Sequence, residues 1–449
     1  SAKKYWASML VIIALLVGQA VCELALPQYT SNIVDVGIQN GGIETEAPEV
    51  MRQETMELLL RFLNEQEKQT VQGAYVLYGA GEAEDSILED YPAAETEGVY
   101  VLEGENREEI EEILVPAETV LMMLRSEGEE AQAMRETVLA QMGLSADTDL
   151  NQALSMLPDE ALQAIKEGII EEMGNMGDTM LSSMGVAFVK DEYAQMGMDM
   201  EGTQMGYLGS VGLQMLGLAL LGMLFTIAVA FLSSRMAART SRDLRSRIFH
   251  KVVSFSNEEM SQFSTSSLIT RCTNDVQQVQ MVLMLMFRMV IYAPILGIGG
   301  ILKVLQTRTH MEWIIVVAGV AGLALVAVLM AVAMPKFKIM QKLVDRLNLV
   351  SREILTGTSV IRAFSRETYE EKRFDGASQN LMKTQLFTSR TMALMMPAMM
   401  FVMNGITVLI VWVGAHGIDM GTLQVGDMMA FITYTMQIVM AFLMITMVS

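Results

Sequence analysis

Two ionisable side chains stand inside long apolar runs, and they are the first candidates for chemistry. Glu23 lies in the run that begins at Tyr5, and Arg288 lies in the run Val276–Leu305. An ionisable group facing lipid costs several kcal/mol, so such residues face a cavity or a partner. Glu23 has two readings: contact with a cationic cargo or a proton, or a structural pairing between helices. Arg288 either snorkels to the nearby interface or reaches a bound substrate. Met396, Met403 and Asn404 join them as candidate cavity residues, since a flexible, polarizable methionine surface accommodates varied cargo. Thirteen methionines fall in Met392–Met447, but fifteen of the 42 lie in Ile38–Gly206, so a purely compositional reading stands beside the functional one.

Other chemistries find little support. No G-x-x-x-x-G-K-[ST] phosphate loop occurs, and the pair Gly-Lys is absent. Three histidines, far apart, offer a metal no obvious ligand cluster, so no catalytic, cofactor-binding or metal residue is assigned. The net charge of −21 divides unevenly: Ile38–Gly206 carries −29 and the remainder +8. An acidic surface repels phosphates, which argues against a nucleic-acid partner. Cys22 and Cys272 both lie outside the acidic segment, which therefore has no intrachain disulfide; it also lacks an N-x-Ser/Thr glycosylation acceptor.

The elements that would position these residues are apolar helices. The chain is 52% hydrophobic, with a mean hydropathy of +0.35. About 20 apolar residues span a hydrocarbon core. Lys3 and Lys4 precede a run from Tyr5 to Cys22 that continues to Val36. A signal peptide, or a lipoprotein processed at Cys22, would begin similarly, but the continuation to Val36 and the later runs favour a membrane span. Further spans are expected at Gly206–Leu232, Val276–Leu305, Glu312–Met334, Met392–Gly414 and Val425–Val448. Arg235, Arg239 and Arg242, with Leu244, Ile248 and Val252 on another face, carry helical periodicity beyond the second span. Pro335–Arg390 is likewise polar, basic and helical. Pro27, Pro294, Pro335 and Pro397 punctuate four spans, which bilayer helices tolerate.

Within the acidic segment, the pattern predicts helices at Met51–Gln72, Arg107–Leu114, Glu118–Leu124, Glu130–Met142, Glu160–Glu172 and Met176–Val189. Pro116 and Pro158 fall where first-turn prolines belong. Two β-like runs, Ala74–Tyr78 and Val99–Leu102, are suited to pair. The expected product is a small, mainly helical α+β domain whose acids form a solvated face, with a cation or basic-ligand site as the sharper alternative.

Orientation follows from Lys and Arg counts. Arg235–Gln280 holds 7 and Pro335–Arg390 holds 11, whereas Lys303–Met311 holds 2 and His416–Asp427 none. The basic loops belong in the cytoplasm, with the N-terminus, and the acidic segment outside. Trp313 and Trp412 then mark the outer interface, and Tyr5 with Trp6 the inner one. An outside domain without cysteine or glycosylation acceptor suits a bacterial plasma membrane.

Three phrases carry a family resemblance: ELALPQYTSNIVDVGI (Glu23–Ile38), SFSNEEMSQFSTSSLITRCTNDVQQVQ (Ser254–Gln280) and REILTGTSVIRAFSRETYEEKRF (Arg352–Phe374). In order and spacing they resemble the first helix and the two intracellular loops of the transmembrane half of an ATP-binding-cassette (ABC) exporter of the multidrug, peptide or lipid type. The resemblance implies an all-α polytopic membrane protein with six long helices of type IV exporter architecture. Residues 1–42 would be the first helix, 43–205 an inserted extracellular α+β domain, and 206–449 helices two to six with cytoplasmic loops at 235–280 and 335–390. It implies two short motor-coupling helices, one over Phe263, Ser264, Thr265, Ser266 and Ser267, the other over Ser359, Val360, Ile361 and Arg362. It implies a second half-transporter, non-identical where such an insert occurs, and amphipathic cargo: a drug, lipid or peptide. ATP and magnesium belong to a nucleotide-binding domain, expected after Ser449; no family-type SGGQ signature occurs within the chain. The rival from another class is a membrane sensor, its outer domain signalling through the basic loops. A peptide exporter with a protease domain before the first span ranks below both.

Overall fold

A computed structural model describes residues 6–104, 106–125, 154, 157–173, 178–307 and 311–448. Among the described residues, six helices are long and apolar enough to cross a membrane: Trp6–Gln39, Met200–Val253, Thr265–Gln306, Glu312–Thr356, Glu367–Asp419 and Val425–Met444. They are called the first to sixth spans. The second, fourth and fifth contain 54, 45 and 53 residues. At a rise of about 1.5 Å per residue these are roughly 70–80 Å long, against a hydrocarbon core of about 30 Å. Helical periodicity therefore does run on past the apolar stretches. The third span is interrupted by wider π-helical turns at Arg271–Asp275 and Met286–Ile291. Pro335 and Pro397 sit inside continuous helices.

The chain divides into two compact units. One comprises Ser1–Leu24, Gly222–Trp412 and Ile432–Ser449, the other Ala25–Leu221 and Val413–Phe431. The second unit contains the acidic segment, built on a three-stranded antiparallel sheet of β1 (Val50–Arg52), β2 (Tyr75–Tyr78) and β3 (Val99–Leu102) in the order β1-β3-β2. The expected pairing of the two β-like runs is observed, with Tyr75 opposite Leu102 and Tyr78 opposite Val99. Side chains alternate across a strand, and here the alternation divides two cores. Met51, Tyr75, Tyr100 and Leu102 face a cluster containing Leu59, Phe62, Leu121 and Phe188. Val50, Tyr78, Val99 and Val101 face a second, with Tyr91, Ala94, Val189 and Met196.

Two local expectations need correction. Met51–Gln72 is not one helix: β1 pairs with β3 up to Arg52, and helices follow at Gln53–Arg61 and Glu65–Ala74. Asn64 breaks the run, its side chain capping the second helix by accepting from the N–H groups of Gln66 and Glu67. Pro116 does not start a helix but lies inside a continuous one, Arg107–Arg125. Its missing N–H is outweighed by packing on both flanks, where Leu114, Ala117, Val120 and Leu121 are all fully buried. The expected helices near the second span are found as Asp159–Met173 and Asp178–Gln195; Glu130–Met142 lies outside the described residues.

Candidate functional site

The connection between the second and third spans folds by local hydrogen bonding. Ser256 and Glu259 form a capping box: the Glu259 N–H donates to Ser256 Oγ at 3.3 Å, and the Ser256 N–H donates to Glu259 Oε2 at 2.8 Å. These bonds hold the Glu259 carboxyl below its ordinary pKa. The box opens a short helix, Asn257–Ser261. Ser264 caps the next, accepting from the Ser267 N–H at 3.2 Å. Phe263 stacks on Phe255 with centroids 5.8 Å apart, and the Arg271 guanidinium lies 5.4 Å from its ring centre. The short helix expected over Phe263–Ser267 is therefore divided. Phe263 and Ser264 are the turn and cap, while Thr265, Ser266 and Ser267 are the first turn of a helix that runs on into the third span. Two serine caps only eight residues apart leave room for the break that periodicity alone smoothed over.

At the second tip the chain also forms a short helix. Thr358–Ala363 is a separate helix containing Ser359, Val360, Ile361 and Arg362. Ser365 adopts a left-handed φ of 51°, and the Arg366 N–H returns to the Ile361 carbonyl at 3.0 Å, closing the helix with a reversed last turn. Val360 and Arg362 are exposed, and Ile361 lines an open cleft with Ile354, Thr358 and Phe374. Arg373 ties the arms of the hairpin together, bonding Glu353 at 2.5 Å and Glu370 at 3.2 Å.

Deep in the spans, Glu23 has a donor on each carboxylate oxygen. Gln19 Nε2 donates to Oε1 at 3.1 Å, and the Tyr292 hydroxyl donates to Oε2. Gln437 donates to the Glu23 carbonyl at 3.3 Å, and the Tyr434 hydroxyl to the Leu24 carbonyl at 3.1 Å. Glu23 thus sits where the first, third and sixth spans meet. Small residues allow that approach: a Cβ at Gly300 would lie 2.7 Å from Ile438. The other candidate cavity residues are not gathered there. Met396 and Asn404 are exposed on the fifth span, and Met403 lines a narrow crevice with Ile406, Thr435 and Met436. Arg288 lies in the Met286–Ile291 turns, and its side chain is outside the described set.

One polar junction escaped the sequence reading. Asp35 Oδ1 accepts the Gly426 N–H at 2.7 Å, where the sixth span begins. Ser31 Oγ lies 3.1 Å from Asp35 Oδ2 and 3.1 Å from Asp427 Oδ1. A Cβ at Gly426 would fall 2.3 Å from Asp35 Oδ2, so only glycine fits. The available signal was a pair of acids at the ends of two apolar runs, which no spacing rule connects.

Residues 193–442 match a family described as the ABC transporter transmembrane region. An uncharacterized ABC transporter ATP-binding protein of Mycobacterium bovis is 37% identical over 241 residues, 53% of this chain and 41% of its own length. Another, from Bacillus subtilis, is 32% identical over 227 residues, 51% of this chain and 40% of its own length. An ATP-dependent lipid A-core flippase of Pseudomonas fluorescens is 28% identical over 195 residues, 42% of this chain and 32% of its own length. The chain thus spans less than half the length of these curated relatives. The family match covers more than half of the chain and takes in five of its six membrane-length helices, and the chain belongs to the ABC transporter transmembrane-region family, as a multi-pass membrane protein.

Proposed function

We propose that this chain is the membrane half of an ATP-driven exporter of type IV architecture. The observation that carries the reading is the pair of helical hairpins projecting far beyond bilayer thickness, each ending in a short, separately capped helix. A rigid helix transmits displacement along its length, and a capped tip gives a soluble motor something to push. Nothing in this sequence fits ATP or magnesium, since it holds no phosphate loop. Both belong to a nucleotide-binding domain. The cargo is amphipathic, a drug, lipid or peptide; similarity to the lipid A-core flippase of Pseudomonas fluorescens supports the lipid end of that range. A second, non-identical half completes the cavity. The membrane is the bacterial plasma membrane, with the N-terminus and both hairpin tips in the cytoplasm. Residues 1–42 contain the first span, 43–205 are essentially an extracellular insert that caps or gates the outer mouth and ends in the first turns of the second span, and 206–449 contain the rest of the membrane helices.

The test is ATP-dependent uptake of a fluorescent amphipath into inside-out vesicles containing the full-length protein and its partner. Val360→Asp, at an exposed tip, should abolish uptake while the protein still reaches the membrane. Undiminished uptake would sink the coupling assignment. Glu23→Gln should weaken uptake of cationic probes only. Deleting residues 43–205 without effect would dismiss the gating role.

A further inference from the structure

Glu118 is a carboxylic acid with nowhere to put a charge. It is 0% exposed, and neither carboxylate oxygen has a hydrogen-bond partner among the described residues. The adjacent Thr119 hydroxyl is buried without a partner as well. Glu118 lies on the Arg107–Arg125 helix, whose Ala117, Val120, Leu121 and Leu124 share one apolar core with Phe188, Leu181 and Met184 of the Asp178–Gln195 helix. A second acid of this segment, also buried, is treated differently: Glu192 accepts from Arg52 at 2.8 Å and from Thr55 at 3.1 Å. Buried polar groups in native proteins are almost always paired, and an exception calls for an explanation.

We propose that Glu118 holds a proton in the folded state and makes the acidic segment a pH-responsive module, whose helices Arg107–Arg125 and Asp178–Gln195 loosen when that proton is lost.

The surroundings favour the neutral acid from every side. Burial pushes the Glu118 carboxyl well above the ordinary carboxylate range, and Glu111 on its own helix, Glu192 on the facing helix and Glu46 ahead of β1 push the same way. Tyr75 of β2 also lies within electrostatic reach, its hydroxyl donating to the Pro48 carbonyl. The nearby cations are committed: Arg52 to Glu192, and Arg107 to Glu49 at 2.8 Å; Arg125 feels Glu192 and Asp191. An unpaired charge in such a core is strongly unfavourable. The sign follows from linkage. Above the ordinary glutamate pKa the unfolded or opened chain has lost the proton that the folded chain retains. Stability is thus fully present below that value and is lost as pH rises toward the folded pKa. The consequence reaches the membrane helices through the chain itself, because only four residues separate Asp178–Gln195 from the second span at Met200.

The experiment is amide hydrogen exchange of the full-length protein in lipid nanodiscs from about pH 5 to about pH 9, corrected for intrinsic exchange chemistry. In the wild type, opening of the two helices should increase by up to about tenfold per pH unit within the titration window. Glu118→Gln, which cannot ionise, should flatten that slope, and so should Glu118→Met, which serves if the glutamine variant fails to fold. The infrared carbonyl stretch of a protonated carboxylic acid should be present in the wild type near neutral pH and reduced in both variants. A flat wild-type profile, an unchanged slope in the variants, or a protonated-acid band that the variants leave intact would each overturn the proposal.

Discussion

The acidic segment and the second span are made of similar apolar residues turned opposite ways. In the segment, Leu59, Phe62, Leu114 and Val120 are wholly inside. In the second span, Leu213, Leu216, Leu220, Leu224, Ile227 and Phe231 recur at three- and four-residue spacing and all point outward. The polar groups reverse as well. The segment places most of its described ion pairs at its surface and buries the Glu192 end of the one with Arg52, whereas the first span turns Glu23 inward to Tyr292 and Asp35 inward to Gly426. The difference teaches that residue type sets a preference for a surrounding and not for an interior. The hydrophobic effect drives leucine out of water, and hydrocarbon satisfies it as fully as a core does.

If the segment is held by an interior, damage inside it should be costly. Arg52→Ala is expected to have the largest effect. It strands the Glu192 carboxylate, whose side chain is 0% exposed, and should destabilise the segment by about 3–5 kcal/mol. Chemical unfolding followed by tryptic protection of the segment measures this; a loss below about 1 kcal/mol would make the pair no better than a surface one. Leu59→Ala comes next. Leu59 is fully buried in the core that also holds Phe62, and truncation should cost about 2–5 kcal/mol by the same assay.

That contrast also explains what was legible beforehand. Long apolar runs need no partner to be recognised, so all six spans were readable, and the arginines after Leu232 announced the helix beyond the membrane. β1 was not readable, because Val50–Arg52 becomes a strand only through the distant Val99–Val101 of β3, while its own neighbourhood reads as helix. Pro116 misled for the same reason: the packing that overrides it is tertiary. At the candidate site, Glu23 stood out as an acid in an apolar run, but its partners Tyr292 and Gln437 lie hundreds of residues away and have ordinary spacing. Asp35 and Asp427 meet over 391 and more residues of chain, across a glycine that matters only for its missing side chain.

The loop tips fall between the two regimes, being polar and locally capped. Ser256→Ala removes one half of the capping box with Glu259 and should cost about 1 kcal/mol, confined to Asn257–Ser261 and its neighbours. Local amide exchange should rise there and nowhere in the acidic segment. A loss that spread to the spans would mean the tip is held by more than its own hydrogen bonds.

The smallest effect should come from Leu224→Ala, and it is the sharpest test of the contrast. Leu224 is 58% exposed on the outward stripe. If lipid is its surrounding, truncation leaves no cavity, because acyl chains move in where a core could not. Stability in nanodiscs should then change by no more than about 0.5 kcal/mol, against several for Leu59→Ala in the same protein. A cost close to that of Leu59 would show that protein and not lipid covers this face. Repeating the measurement with Leu213→Ala and Phe231→Ala, at the two ends of the stripe, would then trace how far along the helix that cover extends.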